Sequence, residues 1–278
     1  QAPGRLASAL IGLAIVHHLE PFAFTLDIGH AWQQLKALTQ TFFFAPQTGD
    51  GLTFLHWFLA ASVVTPGLQR RVPIARSGLA LAALALAAEL AQFLIRARVP
   101  GAHDLLVACL GIVAGTGFSR RRMRLETASA GTRPAESDGT ALLFTLFLFL
   151  AVSAWDMLYP FELEPYRGIT WLPFKPSYAR TTFTTLSNNL ELVVVGMAVA
   201  LVLGSQARNR AARITGAVLM LGGFSVLEFS QAWVAGRYAD TGDLIALALG
   251  TWLGLRLVPV LLLPDRGTPG PRDPSRNP

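Results

Sequence analysis

"ELAQFLIRARVPGAHDLLVACLGIVAG" (Glu89 to Gly115) and "EFSQAWVAGRYADTGDLIALALGTWLG" (Glu228 to Gly254) are one pattern written twice, 139 residues apart. Glu89, Gln92, Arg98, Asp104, Gly111 and Gly115 in the first are met, without a gap, by Glu228, Gln231, Arg237, Asp243, Gly250 and Gly254 in the second. Working outward, the same offset pairs Pro21 and Phe22 with Pro160 and Phe161, Trp32 with Trp171, and Phe44 with Phe183. Chance similarity between two apolar helices would fall on leucine. These matches fall on polar residues and glycines, so the chain reads as an internal duplication.

The arms of both stretches are apolar enough to enter a bilayer, and the rest of the chain agrees. Of its 278 residues 52% are hydrophobic and 14% charged, and the mean hydropathy is +0.45. Apolar runs bounded by Pro, Gly or charge place helices at about 6 to 18, 51 to 66, 74 to 95 and 104 to 118. A second set falls at about 141 to 159, 189 to 204, 211 to 234 and 243 to 263. The expected fold class is an all-α integral membrane protein with eight spans: a first repeat over 1–119, a linker over 120–138, a second repeat over 139–264 and a disordered tail over 265–278. The lone cysteine, Cys109, has no intramolecular disulfide partner, so helix packing holds the bundle together.

A net charge of +6 does not point to nucleic acid here, because the basic residues sit in short blocks beside the apolar runs. Arg70, Arg71 and Arg76, then Arg120, Arg121, Arg122 and Arg124, then Arg208, Arg210 and Arg213, then Arg266, Arg272 and Arg276 alternate so as to share one side. The positive-inside rule makes that side cytoplasmic, with both termini. An even number of helices per repeat makes the repeats parallel, related by a pseudo-twofold along the membrane normal. The aromatic-rich loops at about 20 to 50 and 159 to 189 then face outward, either as a belt at the headgroups or as a lid over a lipid-facing site.

The polar residues of the opening stretches therefore gather at outer helix ends. Glu228 and Gln231, like Glu89 and Gln92, are one turn apart on a single helix face, with the glutamate roughly 10 Å below the outer end by helical rise. A carboxylate at that depth has to be paired, protonated or wetted. Asp104 and Asp243 are placed to cap the following helix, and Gly111, Gly115, Gly250 and Gly254 to let a neighbouring helix approach. Arg98 and Arg237 lie in the reversals, able to hold an anion, and Asp240 adds a second carboxylate to the later one. The same set can also be purely structural, with Asp as cap, Arg as its ion partner, and Glu and Gln bonding across helices.

The order E-x2-Q, Arg, Asp, G-x3-G, preceded by "PF" near the end of the first helix, resembles the VanZ-like family of bacterial membrane proteins. The founding member of that family is associated with low-level teicoplanin resistance. The resemblance covers nearly the whole chain as two copies. In that family the second helix usually begins with an Asn and has a Pro and a Gly beyond it. The second copy has Asn188 and Gly196 at that spacing, with Val194 at the proline position, whereas the first has Gly49 and Trp57. The resemblance implies a cell-envelope role in the bacterial cytoplasmic membrane, with the second copy as the functional one.

All five histidines, His17, His18, His30, His56 and His103, fall in the first repeat, but no ligand spacing recurs, so no metal and no cofactor is expected. No nucleophile motif, Walker loop or dinucleotide fingerprint occurs. Three functions stay open. One is binding of an amphiphile, such as a lipid-linked envelope precursor, at an outer-leaflet pocket of Glu228, Gln231, Arg237, Asp240, Asp243 and Asn188 and its counterpart at Glu89, Gln92, Arg98 and Asp104. A second is an enzyme acting on a lipid headgroup, and a third is an accessory subunit held among other membrane proteins.

Overall fold

The computed structural model describes residues 2–19, 25, 27, 29–30, 32–34, 36, 49–68, 73–95, 101–129, 137–173, 182–207 and 209–262. Among the described residues eight long helices follow one another. They are α1 (Ala2–Leu19), α2 (Asp50–Leu68), α3 (Ile74–Ala91), α4 (Ala102–Ser129), α5 (Ser137–Leu158), α6 (Thr182–Gln206), α7 (Arg210–Ser230) and α8 (Thr241–Leu262). Single turns of 3-10 helix extend α3 over Gln92–Leu94 and α7 over Gln231–Trp233. Six of these helices are long and apolar enough to cross a membrane: α3, α4, α5, α6, α7 and α8. The chain is thus an all-α, multi-pass membrane protein in its architecture. The apolar part of α1, Gly4–Leu19, is shorter.

Local sequence explains the ends. Pro73 stands at the N-terminal boundary of α3, where its fixed φ fits and its missing N–H is not needed. Asn209 caps α7 by accepting from the Ala212 amide at 2.8 Å. The "SRRRMRLETAS" stretch, expected to start a linker without helical periodicity, instead continues α4 to Ser129. Arg, Met, Leu and Glu are good helix formers, and extending a formed helix requires no new nucleus. At 28 residues α4 is about 42 Å long, well beyond the hydrocarbon thickness of a bilayer.

α2 packs closely on α4 and α6 on α8, and α6 is the most enclosed of the six apolar helices. One apolar cluster joins the two halves: Leu10 and Leu13 of α1 and Phe58 and Leu59 of α2 pack with Phe149 of α5, Val199 of α6 and Met220 of α7. A second lies within the first half, around Trp57, Ala61, Leu81 and Ala108. The only sheet among the described residues is a parallel pair, β1 (Ile169–Thr170) with β2 (Ala239–Asp240), at one end of the bundle. It fastens the α5–α6 connection to the reversal between α7 and α8, where the motif residues are.

Candidate functional site

The reversal from α7 to α8 is built around Glu228. This side chain is fully buried. Its Oε1 accepts from the Asp240 amide at 2.7 Å, and its Oε2 accepts from Gln231 Nε2 at 3.4 Å. The E-x2-Q spacing supplies the second contact from the next turn of the same helix. The first contact reaches twelve residues along the chain and fixes where α8 begins. The first half repeats both bonds at the 139-residue offset: Glu89 Oε1 accepts from the Gly101 amide at 2.6 Å and Oε2 from Gln92 Nε2 at 3.4 Å. Gln92 Nε2 also donates to the His18 carbonyl at 3.2 Å, tying the reversal to α1. Each carboxylate meets one backbone amide and one glutamine side chain.

Asp240 departs from the expectation of a ligand contact or a solvated loop charge. It is buried, and its Oδ1 accepts from the Gly242 amide at 2.9 Å, the geometry of a helix N-cap. Asp243, expected to be the cap, lies inside the first turn of α8, and Asp104 lies inside the first turn of α4. Both helices start two residues earlier than foreseen, so these acids complement the helix dipole from within the turn. Gly236, at φ 71°, turns the chain between the 3-10 turn and β2 in a conformation costly for other residues.

Arg237 serves a helix end. Its Nε donates to the Tyr159 carbonyl at 3.1 Å and its Nη2 to the Asp156 carbonyl at 2.8 Å, at the C-terminus of α5. The last carbonyls of a helix lack intrahelical donors, and Pro160 prevents α5 from continuing, so the guanidinium satisfies groups that the break exposes. The "PF" signature and the motif arginine are therefore two sides of one joint. Arg98 lies outside the described residues. Asn188 is exposed on α6 and makes no hydrogen bond to the Glu228 group. Gly196 is a contact residue: a Cβ there would lie 2.6 Å from the Leu247 carbonyl of α8. The four motif glycines act alike, with Gly111 and Gly115 against Phe54 and Phe58 of α2, and Gly250 and Gly254 against Val193 and Met197 of α6.

The loop after α5 is docked by backbone bonds. Glu164 N donates to Trp233 O at 2.8 Å, Arg167 N to Ala232 O at 2.9 Å, and Ala235 N to Glu162 O at 2.8 Å. Thr25 N to Leu94 O, at 2.7 Å, is the first-half counterpart of the Glu164 bond. Around this platform Trp155, Tyr159 and Phe161 pack on one another, Tyr166 meets Trp233 and Trp171 meets Phe229, all with exposed faces among them.

A second polar group lies where the halves meet, built on histidines whose spacing in the sequence matches no metal-ligand pattern. His17 of α1 stacks on His56 of α2 with ring centroids 4.4 Å apart, and His17 Nδ1 lies 3.4 Å from Glu191 Oε1 of α6. His18 Nε2 accepts from Trp57 Nε1 at 3.3 Å. Asp156 of α5 crosses the other way, its Oδ1 accepting from the Gly49 amide at the start of α2 at 3.3 Å. His103 pairs with Asp50 at 2.8 Å. His17 and Asp156 are the same repeat position, and each reaches the other half's second helix, His17 at Glu191 within α6 and Asp156 at the start of α2. Their shared polarity was the signal available in the sequence. Among the described residues no group of three or more His, Cys, Asp or Glu side chains could hold a metal ion.

No family model, no curated protein and no solved structure matches the chain.

Proposed function

We propose that the protein is a tandem VanZ-like component of the bacterial cytoplasmic membrane, with eight spans, both termini inside, and two repeats related by a pseudo-twofold along the membrane normal. It works without catalysis as an accessory subunit among other membrane proteins, and its E-Q-R-D motif is the frame of each repeat. The observation that carries this reading is the occupation of Glu228: one carboxylate oxygen holds the Asp240 amide, the other the Gln231 side chain, and Glu89 repeats both bonds. A general acid or a ligand contact needs a carboxylate that faces substrate. Recurrence of the helix ends and hydrogen bonds at the 139-residue offset supports the duplication.

The test is a pair of substitutions in the full chain in native membranes. Glu228→Gln keeps an acceptor and a donor at the same place, so expression and the native-gel mass of the assembly should stay as in the parent. Glu228→Leu should reduce both. Loss of a measurable envelope phenotype in Glu228→Gln, with expression and assembly intact, would show the carboxylate to be functional and defeat the frame reading.

A second reading, amphiphile binding, is favoured by the seam rather than by the motif. The seam holds buried polar atoms without hydrogen-bond partners, namely His56 Nε2 and Asp156 Oδ2. A lipid-linked envelope component entering between the halves would meet these groups instead of Arg237.

A further inference from the structure

The frame leaves the histidine group on the seam unexplained. His56 Nδ1 lies 2.9 Å from the Leu52 carbonyl. A carbonyl only accepts, so Nδ1 carries the proton, and in the neutral ring Nε2 is then an acceptor lone pair. That nitrogen is enclosed and has no partner, in a residue only 2% exposed. A buried acceptor left unsatisfied costs free energy, which a matching donor would recover. His17 lies flat against the ring and approaches Glu191, whose side chain is 29% exposed and gives the group an opening. Asp156 Oδ2 is a second enclosed acceptor on the same seam. Both enclosed atoms are acceptors, an imidazole lone pair and a carboxylate oxygen, which call for a cationic donor with several N–H groups.

We propose that the seam between the halves, at His56 and Glu191, binds a primary ammonium group, carried by a lipid headgroup or by a free amine. An ammonium presents three donors around one positive charge, and so suits the two kinds of acceptor the seam offers, the imidazole lone pair of His56 and the carboxylate of Glu191. A quaternary ammonium carries no N–H and leaves His56 unsatisfied. This proposal rests on the amphiphile reading and adds the headgroup class to it.

The experiment uses the full chain purified in detergent, with lipid retention read by native mass spectrometry and protection by thermal melting. The probes are phosphatidylethanolamine, phosphatidylcholine of the same chains, phosphatidylglycerol, and free ethanolamine. Phosphatidylethanolamine should be retained and raise the melting temperature, and phosphatidylcholine should do neither. His56→Phe and Glu191→Gln should each lower that retention by about tenfold or more, the loss of one charge-assisted contact. Because His56→Phe can unfold the seam, Glu191→Gln, at a partly exposed position, is the deciding variant and should melt like the parent. Protection by ethanolamine as strong as by the lipid assigns the site to free amines, and protection by the lipid alone assigns it to headgroups. Retention of phosphatidylglycerol that ignores both variants would overturn the ammonium site while keeping an amphiphile function. Absence of retention or protection by every probe, with only water in the seam, would overturn both.

Discussion

Adding one methyl group at Gly111 tests the helix contact on which both repeats depend. A Cβ at Gly111 would lie 2.5 Å from the Phe54 carbonyl oxygen and 3.2 Å from both the Phe58 amide nitrogen and Trp57 Cβ. Ordinary contact begins near 3.4 Å, so α4 has to retreat from α2 by about 1 Å, since two of the three obstacles are backbone and cannot rotate away. A gap of 0.5–1 Å forfeits roughly a quarter to a half of each dispersion contact along the pair. Overpacking of this kind costs about 1–3 kcal/mol, and with no side chain able to yield we place Gly111→Ala near the top of that range. Gly250→Ala should be worse, because its methyl would fall still closer to the Val193 carbonyl of α6. Gly222→Ala on α7 is the control: nothing lies within 4 Å of its Cβ, so it should be neutral or stabilise by up to about 1 kcal/mol through helix propensity. Thermal melting of the three purified variants in one detergent measures this. Expected are a fall of roughly 5 °C or more for Gly111→Ala, a larger fall for Gly250→Ala, and no fall for Gly222→Ala. Equal melting of all three would refute the close approach of α2 to α4 and of α6 to α8.

Glu228→Leu leaves the buried Asp240 amide without its acceptor and should destabilise by about 1–3 kcal/mol, with Glu228→Gln under about 1 kcal/mol, read as melting temperatures. Arg237→Ala should loosen the last turn of α5, seen as faster amide hydrogen exchange near Trp155 to Tyr159, and Arg237→Lys should restore only part, because a point charge cannot donate to two carbonyls as the planar fork does. Unchanged exchange in Arg237→Ala would refute the capping role. In a Cys109→Ala background, an impermeant thiol reagent should label His30→Cys and Tyr166→Cys in intact cells but not Arg122→Cys; labelling at 122 would reverse the proposed orientation.

The helices could be read from residue order because each rests on local signals, apolar length with Pro and Gly at the ends, and the one offset that matches polar residues pointed to the glutamates whose bonds recur in both halves. The target of Glu228 could not. Its partner is a backbone amide twelve residues on, and every residue but proline offers one, so nothing in the sequence marks position 240 as the recipient. The cap was legible in principle, since Asp240 followed three residues later by Asp243 resembles a capping box, but only Asp243 has an aspartate counterpart in the first half. Gly101 stands at the first-half position of Asp240, so only the second half has a side-chain cap there.

The seam shows why a repeat alignment locates a frame better than a site. Contacts within a half pair the same positions in both copies, as with Glu89 and the Gly101 amide against Glu228 and the Asp240 amide, so both copies need the same residues. Contacts across the seam join positions from different copies, and there each copy can change independently. His17 and Asp156 are equivalent by offset yet reach unlike partners, Glu191 and the Gly49 amide, and Glu191 itself stands where the first half has Leu52. Divergence between copies at a seam therefore need not be decay. The residues shared by both halves describe how each is folded, and the residues that differ where the halves meet are the ones on which the proposed ammonium site depends.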